Sequence, residues 1–220
     1  MSRTKAVVFD CDGTLLSSMD AWHDMEANLA RQVGVRLSNQ QIEQLNANTL
    51  SQTITFFHNN YGLGNSYDEL FADAFALLLA NYRERVVARA GAYELTTWLH
   101  DQGILLVIAS SSPTAFLEAG LHHVGMLDLF DFIVSAEDEG TSKRDPRFFQ
   151  QITDQLKVSP KDCWGIDDST YAIRSMRKAG YSTVGIYDSD EAGTFEELKR
   201  EAKRAVHELR ELSYEELLFT

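Results

Sequence analysis

Hydrophobic positions along this chain fall into two regimes. Val7-Val8-Phe9 is a short apolar run that reads as a buried strand, and it runs into Asp10-Cys11-Asp12-Gly13-Thr14. After Leu16 the period lengthens to that of a helix: Trp22, Met25, Leu29 and Val33 share a face, with Gly34 as a stop. Ser38 with Gln41 and Ser66 with Glu69 make capping-box signatures, and Ser51 precedes the cluster Ile54, Phe56 and Phe57. Leu70, Phe71, Ala74, Phe75, Leu78 and Tyr82 stripe the last helix of the run, a pattern expected to serve packing. The stretch predicts an all-helical insertion of roughly four helices with its own small core.

From Gly91 onward helix and strand alternate. Tyr93, Leu95, Trp98 and Leu99 predict a helix closed by Gly103, and Ile104 to Ala109 is the clearest buried strand. Ser110-Ser111-Ser112-Pro113 opens the next helix, with Pro113 in its first turn. Phe132 to Val134 predicts a strand, Pro146 to Leu156 a helix, and Trp164 to Ile166 a strand running into Asp167-Asp168-Ser169. A helix then reaches Gly180, Thr183 to Ile186 is expected as the last strand, and Thr194 with Glu197 caps a closing charged helix. Such alternation makes parallel crossovers, so the expected class is α/β: an open, doubly wound parallel sheet with an inserted helical domain. The expected division is a core of residues 1–16 and 91–220 and a cap of residues 17–90. Hinges are expected at 17–20 and 88–92, where Gly91 supplies backbone freedom. Ligands in such sheets sit beyond the C-terminal strand ends, where Asp10, Ser110 and the Asp167/Asp168 pair fall.

Composition narrows the function. With 220 residues, 44% of them hydrophobic, the chain suits one globular core and a modest second domain. Acidic residues outnumber basic ones 33 to 20, for a formal charge of −13, and no basic patch stands out; nucleic acid is therefore not an expected partner. The apolar runs are too short for a bilayer span, and the N-terminal run ends in Asp10, unlike a signal peptide. Cys11 and Cys163 lack metal or redox spacing, so a reducing, cytoplasmic setting is expected. An acidic protein that binds phosphate needs a metal, backbone amides and a placed lysine.

The candidate chemistry gathers at the strand ends. If the first strand stays extended through Asp12, alternation sends Asp10 and Asp12 to the same side, a pair that repels itself unless a hard cation such as Mg²⁺ lies between them. The plainer alternative is an acidic turn. The Ser110 hydroxyl and the Ser111 N–H can hold phosphate oxygens at a helix start, or merely cap that helix. Lys143 stands in an acidic loop, and Asp168 is itself a possible helix cap.

Taken together these residues resemble the four motifs of the haloacid dehalogenase (HAD) superfamily. Asp10-Cys11-Asp12-Gly13-Thr14 resembles the first and Ser110 after its hydrophobic strand the second. Lys143 ahead of Pro146 and Phe148 resembles the third, and Asp167-Asp168 the fourth. The resemblance implies a Mg²⁺-dependent phosphatase in which Asp10 is the nucleophile and forms an aspartyl-phosphate. Asp12 is then the general acid and base, with its carbonyl on the metal, and Lys143 offsets the phosphate charge and orients Asp10. Asp168 is implied as a direct ligand and Asp167 as a direct or water-mediated one. Family members often carry proline directly after the lysine, where Arg144 stands here, which leaves Arg144 as a substitute candidate.

The helical insertion lies where helical-cap members carry their specificity domain, and Trp22 and His23 are its candidates for touching substrate. Packing for Trp22 and a solvated face for His23 are the alternatives. The layout also resembles the β-phosphoglucomutase branch, but that branch places a cap histidine where Trp22 stands and an arginine near Leu50 or Ser51, and both are absent here, with His23 one position away. No lysine lies between Lys5 and Lys143, which removes the phosphonate-cleaving branch, and an intact Asp12 disfavours dehalogenation. The expected function is hydrolysis of a small phosphorylated metabolite. A phosphosugar mutase, or a non-enzymatic phospho-acceptor or binding module, is the alternative.

Overall fold

The computed structural model describes residues 3–45, 48–190 and 192–219. Strand β1 (Ala6–Phe9) is wholly buried at the centre of a six-stranded sheet. It pairs in parallel with β4 (Leu105–Ser110) on one side and β6 (Cys163–Asp167) on the other. β5 (Phe132–Ser135) lies outside β4, and β7 (Ser182–Ile186) and β8 (Arg204–Val206) lie outside β6. The order is β5-β4-β1-β6-β7-β8, parallel throughout. Alternation along β1 sends Val7 and Phe9 into the hydrophobic cluster on one face and Ala6 and Val8 into that on the other. Burial on both faces is why these strands read as continuous apolar runs.

Helices α5 (Ala92–Asp101) and α6 (Thr114–His123) cover the Phe9 face; α7 (Pro146–Leu156) and α8 (Thr170–Ala179) cover the Val8 face. The doubly wound expectation holds. Helix α9 (Phe195–Glu201) has the predicted Thr194/Glu197 capping box but does not close the chain, because β8 follows and extends the sheet. Pro113 is the N-cap of α6 rather than a first-turn residue. Among the described residues no helix is long and apolar enough to cross a membrane.

Four helices lie between two very short strands: α1 (Met19–Gln32), α2 (Asn39–Leu45), α3 (Leu50–Tyr61) and α4 (Tyr67–Glu84). The flanking strands, β2 (Leu16–Ser17) and β3 (Val87–Ala88), pair antiparallel, so the insertion's entrance and exit are held side by side. The expected separate core of the insertion does not form, because its interior is continuous with the Phe9 face of the sheet. The hub is Phe116 on α6, with ring centroids 6.2 Å from Trp22, 4.7 Å from Phe75 and 5.3 Å from Tyr82. Thr49 caps α3 in a box with Gln52, and Ser51 lies inside the first turn. Gly91 adopts φ +85°, and a Cβ there would lie 2.3 Å from the Arg210 backbone nitrogen. Close packing in the left-handed region requires glycine there.

Candidate active site

β1 delivers Asp10 to the C-terminal edge of the sheet, and the chain turns at once. The N–H groups of Leu15 and Leu16 donate to the Cys11 carbonyl at 2.9 and 2.8 Å, and Gly13 sits at φ +77°. A Cβ on Gly13 would lie 2.4 Å from Asp168 Oδ2, so both backbone and neighbour demand glycine. β1 ends at Phe9, yet Asp10 and Asp12 line one cavity at its C-terminal end, near enough for the charge of Asp12 to push the Asp10 carboxyl up.

The carboxylates that do cluster are Asp10, Asp167 and Asp168: one oxygen from each lies within 4.8 Å of the others, and all three residues are buried. Lys143, 3% exposed, places Nζ 2.7 Å from Asp10 Oδ1 and 2.6 Å from Asp167 Oδ2. The other oxygen of Asp167, Oδ1, accepts from the Ser169 N–H at 2.9 Å and from its hydroxyl at 2.6 Å. Asp167 thereby fixes the lysine that fixes Asp10. Arg144 is exposed, with its guanidinium carbon 4.5 Å from the Tyr171 ring centroid, and does not take the place of Lys143.

The Asp10 carboxyl is raised to about 7, chiefly by burial, with Lys143 opposing the rise and Asp167 and Asp12 adding to it. Asp168 is raised well above the usual carboxylate range by burial and then by Asp10, Asp167 and Asp188. Burial opposes the Lys143 charge, yet Asp10 and Asp167 outweigh it and hold the ammonium well above its ordinary value. Asp10 Oδ2 is buried without a hydrogen-bond partner. A cluster of buried carboxylates facing one ammonium, with an orphaned oxygen, leaves negative charge uncompensated. Hard oxygen donors of this kind fit Mg²⁺.

Asp12 turns its carboxylate toward hydroxyls. Oδ1 accepts from Ser18 Oγ at 2.6 Å and from the Tyr82 hydroxyl; Oδ2 accepts from Ser112 Oγ at 2.6 Å and Ser110 Oγ at 3.3 Å. Trp22 Nε1 in turn donates to the Tyr82 oxygen at 2.8 Å. Ser110, at the end of β4, also accepts from the Ser112 N–H at 3.1 Å, and Ser111 lines the same cavity.

Trp22 lines this cavity, but its polar atom is spent on Tyr82. His23, one residue and about 100° further round the helix, lines an adjoining outer cleft with Asp20, Tyr187, Asp188 and Asp190, and the two cavities share Met19, Asp188 and Ser189. Ser18, Tyr82, Ser112 and the Arg89–Asp188 pair escaped the sequence reading. Asp188 follows the end of β7, the position rule that pointed to Asp10, and its oxygen lies 2.6 Å from Arg89 Nη1. Arg89 also donates to the Gly13 carbonyl, tying the exit of the helical insertion to the Asp10 loop.

Residues 4–180 match the family model described as haloacid dehalogenase-like hydrolase. Validoxylamine A 7'-phosphate phosphatase of Streptomyces hygroscopicus subsp. limoneus is 27% identical over 188 residues, covering 86% of this chain and 88% of its own. Hexitol phosphatase B of Escherichia coli is 27% identical over 181 residues, covering 81% and 82%. Among solved structures, β-phosphoglucomutase from Clostridium difficile superposes with a TM-score of 0.81 at 22% identity, over 97% of this chain and 95% of its own.

Proposed function

This chain belongs to the haloacid dehalogenase-like hydrolase family, and from that premise we propose that it is a Mg²⁺-dependent phosphatase that hydrolyses a small phosphorylated metabolite through an aspartyl-phosphate on Asp10. The observation that carries the reading is the state of Asp10. One carboxylate oxygen is gripped by Lys143, and the other is buried, aimed at no donor, and beside a second carboxylate held for proton transfer.

Asp10 attacks phosphorus while Asp12 gives its proton to the departing alcohol oxygen. Asp12, now a carboxylate, takes a proton from water as that water attacks the phosphorus, and phosphate leaves with Asp10 restored. Ser18, Ser112 and Tyr82 aim Asp12. Ser110 and the N–H of Ser111 bind the phosphoryl oxygens at the start of α6, and Lys143 meets their charge. Asp10 and Asp168, with the Asp12 carbonyl, would hold Mg²⁺, which when bound neutralises charge on the transferring group. Asp167, engaged by Lys143 and Ser169, serves chiefly to position the lysine.

Residues 17–90 act as a cap over a core of residues 1–16 and 91–220, excluding water from the site. Relatives named as a validoxylamine A 7'-phosphate phosphatase and a hexitol phosphatase support a small phosphorylated substrate.

The test is phosphate release from an aryl phosphate and a panel of metabolite monophosphates, with and without Mg²⁺. Metal-dependent turnover that falls on the order of a thousandfold or more in Asp10→Asn is the expected result. No turnover of any phosphomonoester with the metal present overturns the reading.

A further inference from the structure

One guanidinium gathers the loops around the Asp10 turn. Arg89 stands between β3 and α5, where the insertion returns to the core. Its side chain is 15% exposed, and each of its terminal nitrogens reaches two acceptors. Nη1 donates to the Gly13 carbonyl and, at 2.6 Å, to Asp188 Oδ1. Nη2 donates to the Tyr187 carbonyl at 2.8 Å and to the His207 carbonyl at 3.3 Å, so the loops after β7 and β8 are held as well. The Arg89 backbone N–H adds a bond to the Leu15 carbonyl at 2.8 Å. We infer that Arg89 and Asp188 are a positioning pair for the reaction, which holds the turn at Gly13 and so sets where Asp12 meets the leaving group. The inference rests on the phosphatase reading and adds to it two residues that act through others.

The turn shows why the pair bears on Asp12. Gly13, at φ +77°, has no side chain to anchor it, and its two backbone groups do that work. Its N–H donates to the Leu16 carbonyl at 2.9 Å, and its carbonyl accepts from Arg89. A Cβ on Gly13 would lie 2.4 Å from Asp168 Oδ2 and 3.4 Å from Asp188 Oδ2, so both carboxylates close on the same Cα. Asp188 therefore has one oxygen on Arg89 and the other on the Gly13 side. Releasing the Gly13 carbonyl would let Asp12, one residue back, slip from the hydroxyls of Ser18, Ser112 and Tyr82 that aim its carboxylate.

The arrangement needs a fork. Four acceptors lie along two nitrogens, which a planar guanidinium meets at once, with the bond to Asp188 charge-assisted on both sides. An ammonium is a single point charge and serves only one end of that row. Asp188 borders both the inner cavity and the outer cleft, yet its Oδ1 is committed to Arg89, which makes it the holder of the arginine. A tie that served stability alone would cost every substrate equally when cut. A pair acting through Asp12 costs most where the leaving group most needs a proton.

The experiment measures kcat/KM with Mg²⁺, which reports the first phosphoryl transfer, over a series of monophosphates. The series runs from p-nitrophenyl phosphate, whose leaving group departs without a proton, to phenyl and alkyl phosphates, whose leaving groups require one. Asp12→Asn is the reference for a lost acid. In Arg89→Met and in Asp188→Asn the loss should grow at least about tenfold from the p-nitrophenyl to the alkyl substrate, less steeply than in Asp12→Asn. Arg89→Lys should restore little of it, and the Arg89→Met, Asp188→Asn double variant should lose no more than either alone. Hydrogen exchange read by mass spectrometry should show the amides of residues 13–16 exchanging faster in both single variants than in the wild type.

A loss that is equal across the series makes the tie structural and overturns the pair. So does an Arg89→Lys variant that matches the wild type, or an Asp188→Asn variant that raises KM alone. Should Arg89→Met fail to fold, Asp188→Asn, which keeps the shape of the side chain, decides. If the wild type turns over no phosphomonoester, the phosphatase reading fails by itself. The exchange measurement then still tells whether the pair holds the turn, and unaltered exchange overturns that too.

Discussion

Tyr82 performs two tasks with one side chain. Its ring stacks on Phe116 at 5.3 Å and 28°, and its hydroxyl, supplied by Trp22 Nε1, donates to Asp12. Burial, and then the charge of Asp12, push the phenol well above its ordinary value, so it stays a donor across the working range. Tyr82→Phe keeps the ring and removes one donor to a charged acceptor, a change of about 1.5–3 kcal/mol. Steady-state kinetics should then show kcat falling about tenfold to a hundredfold with KM little altered; an unchanged kcat contradicts the role. Asp10, Asp167 and Asp168 were legible in the sequence because strand ends announce themselves, whereas Lys143, a lone lysine in an acidic loop, stood out only through the resemblance to the third motif. Tyr82 was not, because a tyrosine in a helical aromatic stripe reads as packing and its acceptor lies 70 residues away.

The contact between α4 and α6 sets where Tyr82 stands. Gly120 on α6 permits it: a Cβ there would lie 2.8 Å from Leu16 Cδ1 and 2.9 Å from Tyr82 Cδ1. Gly120→Val should push α4 off α6. The expected outcome is about 1–3 kcal/mol of lost stability in denaturant melts, together with a fall in kcat that Tyr82→Phe does not deepen in the double variant. Additive losses in the double variant contradict a shared cause. At this scale the long elements were readable, since β1, β4, β6 and helices α1, α4 and α7 carry clear periods and caps. β2, β3 and β8 were not, because strands of two or three residues show no period and form only when a partner lies alongside. Thr49 was missed as the α3 cap because Ser51 stood nearer the apolar cluster, although Gln52 completes the Thr49 box.

Across the whole molecule, one continuous hydrophobic cluster joins the helical insertion to the sheet, and the insertion's exit is tied by Arg89 to the loop that carries Asp10. Cap position, Asp12 geometry and the acidic cluster are thereby parts of one packed unit. An expectation of two separate cores missed this, because periodicity reports which face of a helix is buried and not against what. Binding to the folded state alone stabilises it, by about 2.7 kcal/mol at a hundredfold excess over Kd. Mg²⁺ should therefore raise the Tm of the wild type and should do so far less in Asp168→Asn; equal shifts in both place the ion elsewhere. The most direct test of the chemistry is an acid-quenched single turnover with substrate, followed by peptide mass spectrometry on the wild type and on Asp12→Asn, in which hydrolysis of the intermediate is slowed. A phosphoryl group on the peptide that contains Asp10, accumulating in Asp12→Asn and absent in Asp10→Asn, is the result expected. Phosphate released without any such adduct, or an adduct that persists in Asp10→Asn, contradicts Asp10 as the nucleophile.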